Sequence, residues 1–495
     1  MPDITRRKAV ALTSKSIAFA YGLGLTAACD QKHTTTPTGQ FMPTEKSLDT
    51  HQVPSWFNKA KFGIFIHWGP YSVPAFAPTD PTPEAASPFA NVPYAEWYWN
   101  TMKFEGSQTA VFHRDNYGAD YSYERFGNAF NDSLQNWNPD AWARLFKESG
   151  ARYVVLVAKH HDGFLLWPSA VQNPNVANWR ASRDIVGELS EAVRALGMKF
   201  GIYYSGGVDW TFQPKRVEKI ADLFLHMPGK KEGYTDYAKE QYLELIDRYR
   251  PDYLWNDIGY PSQKDSFQIL ADYYNLVPEG LTNDRWISLA GFFRFGVFDR
   301  PDGVEGLIPP LPPVWDVRTP EYTIFDEVLP FQWEATRGFG ASFAYNRAES
   351  GEHYLSSQAI KKLLLQAAAF NGNLLLNVGP HADGSIDSLQ AARLLEVGKW
   401  IDTNKDAVLD TISVSLPKQD LKVGAVKTTG TVNIYVLERP TGDSIKISLT
   451  REIASGKKAQ IIDSPDEMTA TVIENDLVVK AANGFNEEPL IIRLR

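Results

Sequence analysis

The sequence predicts an α/β protein made of a (β/α)8-like barrel followed by a small C-terminal all-β sandwich domain. Between about residues 60 and 400, short apolar segments with strand character alternate with segments of helical spacing, which indicates βαβ units and a parallel sheet. Polar side chains follow the C-terminal end of one predicted strand after another, and this end of a barrel forms the active face. After about residue 407, short strand-like segments separated by turn residues replace the helical spacing.

Composition restricts the class of protein. A chain of 495 residues is long enough for two or three domains. The formal net charge of −9 argues against a nucleic-acid-binding protein, which needs a basic surface to neutralise phosphates. An aromatic content of 13%, with 14 Trp and 22 Tyr, suits the faces of sugar rings, but by itself it favours core packing.

The first residues of the chain have the pattern of an export signal. Arg6 and Arg7 precede a mostly apolar segment of small residues over 9–28, and the paired arginines indicate the twin-arginine route. The residues before Cys29 resemble a bacterial lipoprotein cleavage site, although Thr26 occupies a position where leucine is usual. Because Cys29 is the single cysteine and stands where a lipoprotein carries its lipid, we predict lipidation there, with a plain signal peptide as the alternative.

Changes in composition along the chain indicate its domains. The segment after Cys29 is rich in Thr and Pro without apolar periodicity, which predicts a flexible tether. The expected location is the bacterial periplasm or cell envelope, with membrane contact only through the lipid anchor. The predicted domains are the signal (1–29), the tether (30–48), the catalytic barrel (49–406) and the C-terminal β-sandwich (407–495).

The predicted elements follow one another in order along the chain. Each barrel strand is a short apolar segment that ends at polar residues or glycine, and segments with helical spacing separate the strands. No glycine-rich phosphate loop follows these strands, which removes the main reason to prefer an open nucleotide-binding sheet. The predicted barrel strands are 62–66, 153–157, 200–204 and 253–255, the helices are 139–149, 185–196 and 237–249, and the sandwich strands are 432–437, 445–449, 459–462 and 477–479.

Two carboxylates differ in how well the pattern places them for chemistry. Asp257 follows the strand at 253–255, where the sheet would fix it at the barrel mouth, and such a position suits a nucleophile. The competing interpretation is a helix-cap or turn aspartate, which is common. Glu321 lies in a stretch, 315–322, that has no clear periodicity and predicts a loop, so the pattern alone gives it little weight.

Three histidines, His67, His160 and His161, follow predicted strands. Adjacent histidines point in different directions and lack the i, i+4 spacing of a helical metal pair, so a metal site is a minority interpretation. Imidazoles that hydrogen-bond hydroxyl groups fit a neutral polyol equally well.

Arg285 and an aromatic cluster complete the set of candidates. The ordinary interpretation of Arg285 is a structural ion pair with Asp284 or another carboxylate. Glu96 and Trp97 lie in a cluster of aromatic residues that suits either a core or a sugar platform. Together the candidates fit a glycosidase, a metal hydrolase or a carbohydrate-binding barrel.

Five long motifs occur in order along the predicted barrel. They are KFGIFIHWG at 61–69, KHHDGF at 159–164, GIYYS at 201–205, LWND at 254–257 and NLLLNVGP at 373–380. In these motifs the chain resembles the α-L-fucosidases of glycoside hydrolase family 29 from about residue 50 to 400. The resemblance implies a catalytic barrel followed by a small β-domain, as the pattern also predicts.

The resemblance implies a retaining exo-glycosidase that hydrolyses terminal α-L-fucosyl residues from glycans by double displacement. The nucleophile of the family matches Asp257. Its general acid/base lies in a Trp-Asp-x-x-x-x-Glu-Tyr stretch in the members that this chain most resembles, which points to Glu321. Glu334 is the competing candidate, although its motif resembles a structural one.

The resemblance also implies the residues that surround the fucose, and it implies neither a metal nor a cofactor. Phe65, Trp255 and Phe343 would pack on the C5 methyl group. The other residues that match the substrate-binding set are His67, Glu96, Trp97, His160, His161, Tyr203 and Arg285.

The sequence is also compatible with three other functions. A non-catalytic fucose- or glycan-binding lipoprotein would have a decayed site, and both carboxylates are intact in the sequence. A metal-dependent hydrolase built on the three histidines would be sensitive to chelators. A fucosidase restricted to α-1,3/1,4 linkages shares the same core, and the resemblance around Glu321 favours the broad group. The expected partner is a fucosylated oligosaccharide or glycoconjugate and no nucleic acid, and the oligomeric state is open.

Overall fold

The computed structural model describes residues 39–80, 87–219, 222–223, 233–288, 311–438, 440–462, 468–482, 484–485 and 489–495. The predicted export signal, Cys29 and residues 30–38 of the predicted tether lie outside the described residues. Within those residues, no helix is both long and apolar enough to cross a membrane.

Seven parallel strands of the described residues form the wall of a barrel, as the sequence predicts. They are β1 (Phe62–Ile66), β2 (Tyr153–Lys159), β3 (Lys199–Ser205), β4 (Tyr253–Asp257), β5 (Leu281–Thr282), β6 (Trp333–Gly338) and β7 (Gly372–Val378). They hydrogen-bond in the order β5-β4-β3-β2-β1-β7-β6. Almost all of their residues are buried because the side chains face either the barrel interior or the surrounding helices.

The segment 317–321 closes the barrel between β5 and β6. It forms three isolated parallel bridges, which pair Asn283 with Val317, Arg318 with Trp333 and Glu321 with Thr336. The segment is not a regular strand, in agreement with the loop predicted over 315–322, but its bridges fix its place in the barrel wall between β5 and β6. The pattern gave no strand because the segment pairs through single bridges and lacks an apolar run.

Helices surround the barrel, and several of them begin at a residue whose side chain caps the first turn. For example, the side chain of Asn138 accepts a hydrogen bond from the backbone N–H of Ala141, and Pro139 occupies the first helical turn, where its missing N–H costs nothing. The helices of this region are α1 (Glu45–Leu48), α2 (Ser55–Ala60), α3 (Tyr98–Thr101), α4 (Gln108–Tyr117), α5 (Glu124–Ser133), α6 (Pro139–Glu148), α7 (Ile185–Ala195), α8 (Tyr234–Tyr249), α9 (Gln263–Leu276), α10 (Ser357–Ala369) and α11 (Ser388–Val408). The three predicted helices coincide with α6, α7 and α8 within a few residues.

The last part of the predicted tether is folded. Helix α1 begins after Thr44, whose side chain accepts a hydrogen bond from the backbone N–H of Ser47. Phe41 and Leu48 are buried in the barrel core, and the backbone of Phe41 exchanges two hydrogen bonds with the side-chain amide of Asn275. The prediction of a flexible tether is therefore wrong for residues 39–48, because two apolar side chains anchor a segment that is otherwise polar.

The C-terminal region forms two antiparallel sheets, which confirms the predicted sandwich. Its described strands are β8 (Ile412–Ser413), β9 (Val423–Thr428), β10 (Thr431–Val436), β11 (Ser444–Ser448), β12 (Ala459–Ile462), β13 (Met468–Ile473), β14 (Asp476–Ala481) and β15 (Leu490–Leu494), with the short helix α12 (Arg451–Ala454). One sheet has the order β12-β15-β10-β9-β8 and the other β11-β14-β13. Val426, Tyr435 and Ile491 of the larger sheet belong to the same core cluster as the barrel, so the two domains share buried contacts.

Candidate active site

Asp257 is the last residue of β4 and lies at the C-terminal mouth of the barrel. Its Oδ2 accepts a 2.6 Å hydrogen bond from the Tyr203 hydroxyl, and its Oδ1 accepts a 2.8 Å hydrogen bond from Nη1 of Arg285. Nε2 of His161 lies 3.8 Å from Oδ2. Burial opposes ionisation of the carboxyl group, but the charge of Arg285 and the hydrogen bonds from Arg285 and Tyr203 lower the pKa of Asp257. Asp257 is therefore an anion held in a fixed direction.

Arg285 joins Asp257 to a second carboxyl group. Its Nη1 lies 2.8 Å from Oδ1 of Asp257 and 2.6 Å from Oε1 of Glu321, so the two oxygens are no further apart than the sum of these distances. Burial raises the pKa of Glu321, Arg285 opposes the rise, and the nearby Asp257 adds to it. A carboxyl group with a lowered pKa beside one with a raised pKa provides an anion and an acid in one site.

Arg285 is itself held by Thr319 of the segment 317–321, which closes the barrel and is called here the closing segment. Its Nε donates to Oγ1 of Thr319 at 3.1 Å, and its Nη2 donates to the Thr319 carbonyl at 3.0 Å. Its guanidinium carbon lies 4.5 Å from the centre of the Trp255 ring. Asp284 pairs instead with Arg318 at 2.8 Å. Arg285 therefore pairs with carboxylates other than Asp284, namely the two carboxyl groups of the site.

The residue that follows each carboxylate has a left-handed backbone. Ile258 has φ of 53° and Tyr322 has φ of 51°. For a β-branched or aromatic residue this conformation costs on the order of 1–3 kcal/mol, and it persists only where the surrounding structure determines it. The chain thus turns sharply after both Asp257 and Glu321.

Three neutral histidines lie beside Asp257. Burial lowers the pKa of His67 to about 3 and that of His161 to about 4, and it lowers the pKa of His160 as well. Nδ1 of His67 lies 2.6 Å from Oδ1 of Asn377, and Nδ1 of His161 lies 2.7 Å from Oγ of Ser205. Nδ1 of His160 is buried without a hydrogen-bond partner among the described residues.

The minority interpretation of these histidines was a metal site. The described part of the chain contains no group of three His, Cys, Asp or Glu side chains arranged to hold a metal ion. The geometry instead gives each histidine a place among hydrogen-bonding and aromatic neighbours. The rings of His67 and His160 lie 5.4 Å apart, and that of His160 stacks on Tyr203 at 5.7 Å.

Glu96 and Trp97 belong to a short 3-10 helix, Ala95–Trp97. Oε2 of Glu96 accepts a 3.0 Å hydrogen bond from the backbone N–H of Ala344 and lies 3.3 Å from Oγ of Ser342. Burial raises the pKa of Glu96 to about 7. The Trp97 ring meets His161 edge-on, with ring centres 5.3 Å apart.

Aromatic rings form an apolar wall in the same mouth. Trp255 stacks on Tyr203, with ring centres 5.2 Å apart. Phe65 lies 5.4 Å from the Trp255 ring and 6.4 Å from the Phe343 ring. The site therefore combines charged groups, neutral imidazoles and an apolar surface, a combination that suits a sugar with both hydroxyl and methyl groups.

Glu334 occupies a different part of the barrel. It is the second residue of β6, at the end of the strand away from the mouth, and it is fully buried. The hydroxyls of Tyr153 and Tyr253 donate to its two oxygens, and burial raises its pKa to about 8. Tyr153 and Tyr253 each begin a strand, so this group lies in the barrel floor rather than beside Asp257.

The barrel mouth gathers the predicted residues, together with supporting residues that the pattern did not single out. Thr319 holds Arg285, Asn377 holds His67, and the Ser342–Ala344 stretch holds Glu96. The sequence offers a signal for Asn377, which stands near the end of a strand within the NLLLNVGP motif. It offers none for Ser342, which is 246 residues from Glu96. The predicted residues found together at the mouth are Phe65, His67, Glu96, Trp97, His160, His161, Tyr203, Trp255, Asp257, Arg285, Glu321 and Phe343.

Known proteins resemble the chain in both sequence and structure. A family model described as alpha-L-fucosidase matches residues 27–406. The chain is 33% identical over 395 residues to tissue alpha-L-fucosidase of Bos taurus, covering 77% of this chain and 73% of the relative. It is 34% identical over 387 residues to plasma alpha-L-fucosidase of Homo sapiens, covering 75% and 72%. The structure is similar to crystal structures of Thermotoga maritima alpha-fucosidase, with 36% identity, a TM-score of 0.75, and coverage of 92% of this chain and 100% of that chain.

Proposed function

Because the chain belongs to the α-L-fucosidase family and is a glycoside hydrolase that cleaves α-L-fucose, we propose that Asp257 and Glu321 perform the two chemical steps of its retaining double displacement. Asp257 is the nucleophile and Glu321 is the general acid/base. The observation that carries this assignment is the contact of both carboxyl groups with Nη1 of Arg285.

The separation of the two carboxyl groups supports retention. Oδ1 of Asp257 and Oε1 of Glu321 both contact Nη1 of Arg285, at 2.8 and 2.6 Å. Their separation therefore does not exceed the ~5–5.5 Å between the two carboxyl groups of retaining enzymes. Inverting enzymes need ~6.5–9.5 Å to admit a water molecule between the carboxyl group and the sugar.

The first step is attack by Asp257 on the anomeric carbon. The carboxylate forms a covalent fucosyl-enzyme, the bond to the aglycone oxygen breaks, and Glu321 gives its proton to that oxygen. In the second step Glu321 takes a proton from water, the water oxygen bonds to the anomeric carbon, and Asp257 leaves. The lowered pKa of Asp257 and the raised pKa of Glu321 favour these starting protonation states.

The remaining residues of the mouth bind the sugar. We propose that the neutral histidines, Glu96, Trp97 and Arg285 hold its hydroxyl groups, and that Phe65, Trp255 and Phe343 contact its C5 methyl group. The neutral imidazoles and the apolar wall at the mouth support this assignment. Crystal structures of Thermotoga maritima alpha-fucosidase exist with fucose and with a mechanism-based inhibitor, and this relative is 35–36% identical to the chain.

The nucleophile is tested by hydrolysis of an aryl α-L-fucoside with and without azide. Asp257→Gly should abolish turnover, and azide should restore aglycone release by attacking from the vacated side, giving a fucosyl azide of inverted configuration. Activity in Asp257→Gly without azide would assign the nucleophile elsewhere.

The acid/base is tested by the same assay on Glu321→Ala. Azide needs no general base, so it should accelerate turnover and give a fucosyl azide of retained configuration. Glu334→Ala is the matched control, because its carboxyl group lies in the barrel floor, and azide should not accelerate it. Azide rescue of Glu334→Ala instead of Glu321→Ala would exchange the two assignments.

We also propose that the chain is exported and anchored by a lipid on Cys29. The support is the sequence of its first residues, in which the single cysteine follows a basic and then apolar segment. Metabolic labelling with a radioactive fatty acid should mark the full chain and not Cys29→Ser. Equal labelling of both, or none of either, would reject the anchor.

A further inference from the structure

Tyr322 lies directly after Glu321, and its side chain contacts residues at and just after the C-terminal end of β6, the strand beside the 317–321 segment. Its hydroxyl donates a 2.6 Å hydrogen bond to the Ala341 carbonyl and accepts a 3.3 Å hydrogen bond from the backbone N–H of Gly338. The Tyr322 ring lies 5.4 Å from the Phe343 ring. All three partners lie in residues 338–344, which comprise the last residue of β6 and the loop that follows it and are called here the 338–344 loop.

The backbone on both sides of Glu321 is tied to the strand that leads into this loop. The N–H of Thr336 donates to the Pro320 carbonyl at 3.0 Å, and the N–H of Tyr322 donates to the Thr336 carbonyl at 2.9 Å. These bonds hold the backbone of Glu321 against β6, and Arg285 contacts its carboxyl group at 2.6 Å. The next residue, Tyr322, has a left-handed backbone, and its side-chain hydroxyl is hydrogen-bonded to Ala341 and Gly338.

The 338–344 loop also holds the proposed sugar-binding carboxyl group. Ala344 donates to Glu96, and Oγ of Ser342 accepts a 3.0 Å hydrogen bond from the N–H of Ala95. Oε1 of Glu349 accepts from the N–H groups of Ala341 and Ser342 and so fixes the loop from behind. One loop thus contacts both the acid/base segment and the fucose-binding segment.

We propose that Tyr322 is a positioning residue that anchors Glu321 to the 338–344 loop, so that the acid/base is aligned with the sugar that the same loop helps to bind. This inference rests on the proposed role of Glu321. Loss of the hydroxyl frees Glu321 to tilt, which impairs proton donation to the leaving group while the nucleophile on β4 stays in place.

The test is the dependence of kcat/KM on the leaving group in a series of aryl α-L-fucosides. Glycosidic bonds to good leaving groups break without an acid, whereas phenyl fucoside needs one. Tyr322→Phe should lower kcat/KM on phenyl fucoside roughly tenfold or more, a part of the ~10²–10⁴ of general acid catalysis, and lower it less than about twofold on 2,4-dinitrophenyl fucoside. The inhibition constant of free fucose should change little, which shows that the fold and the sugar site persist.

Two further variants separate the possible explanations. Tyr322→Gly accepts the left-handed backbone but has no hydroxyl, so it should show the same steepened dependence. Tyr345→Phe is the control. Tyr345 directly follows the 338–344 loop, and its ring packs on His381. The dependence of kcat/KM on the leaving group in this variant should match that of the wild type.

An equal loss of kcat/KM for all leaving groups in Tyr322→Phe, or no loss, overturns the inference. Glu321→Ala is run in the same series. If it steepens the dependence and Tyr322→Phe does not, Glu321 remains the acid and only the positioning role falls. If Glu321→Ala depends on the leaving group no more steeply than the wild type does, the acid/base assignment and the positioning role fall together.

Discussion

Opposite pKa shifts in two neighbouring residues define the pH dependence that we expect of this enzyme. Asp257 must be ionised to attack, so activity falls as the pH drops through its lowered pKa. Glu321 must be protonated to assist the leaving group, so activity falls as the pH rises through its raised pKa. A bell-shaped profile of kcat/KM is therefore predicted, with its acidic limb below the ordinary range of aspartate and its alkaline limb above that of glutamate.

The profile is measured with an activated aryl fucoside and with a poor one. On the poor substrate the alkaline limb should be clear, and in Glu321→Gln it should disappear because the titrating group is gone. An alkaline limb that persists unchanged in Glu321→Gln would assign it to another group.

Arg285 gives a second prediction at the scale of one residue. Arg285→Lys is expected to lower kcat/KM by at least ~10²-fold, because a single ammonium cannot contact both carboxyl groups and Thr319 at once. Arg285 also lowers the pKa of Asp257, so the acidic limb should move to higher pH. Arg318→Lys is the control, since Arg318 pairs with Asp284, and a shifted acidic limb in that variant would contradict the assignment.

Among the elements, β6 carries a fully buried carboxyl group in the barrel floor, away from Asp257. The pKa of Glu334 is raised by burial from 4.5 to about 8. Between these values the folded chain holds a proton that the unfolded chain has lost, so this group makes stability fall as the pH rises, by about 1.4 kcal/mol per pH unit at most. Glu334→Gln mimics the protonated group and should flatten this dependence.

The measurement is the thermal midpoint of wild type and Glu334→Gln at pH 5 and pH 8. The variant should lose less stability than the wild type between the two pH values, and should be the more stable protein at pH 8. Equal pH dependence in both proteins would mean that Glu334 is ionised or solvated in the folded chain.

The elements also show what the sequence could and could not predict. The strand at 153–157 was predictable because its β-branched residues are buried on both sides, and Asp257 was predictable because it ends such a strand. The segment 317–321 was not, because it pairs through single bridges and lacks an apolar run. The acid/base role of Glu321 could be predicted only from the family resemblance. A glutamate in a stretch without periodicity has no local signal that distinguishes it from a solvent-exposed glutamate.

At the scale of the whole molecule, the two domains approach closely at Gly424. A Cβ built at this glycine would lie 2.3 Å from Cβ of Ala369, at the end of α10, so the larger sheet of the sandwich packs directly on the barrel. Gly424→Ala is expected to cost ~1–3 kcal/mol and lower the thermal midpoint, because one of the two elements must move. Calorimetry measures the change.

Activity at low temperature is the control for this prediction. Ala369 precedes β7, so the contact lies at the end of the barrel opposite Asp257, and kcat should not change. The double variant Gly424→Ala with Ala369→Gly restores space and should recover part of the lost stability. No loss in the single variant would show that the interface tolerates a shift.

The closing segment also has an evolutionary consequence. The proposed nucleophile, Asp257, is part of a regular strand, and a change of its register would disturb the sheet, whereas Glu321 lies in a segment held by isolated bridges. Insertions or exchanges in that segment can relocate the proton donor without altering the ladder that supports Asp257. Descendants of one ancestral barrel can therefore keep the same covalent intermediate while they diversify the alcohols and sugars that they release, and directed evolution toward new aglycones would best begin there.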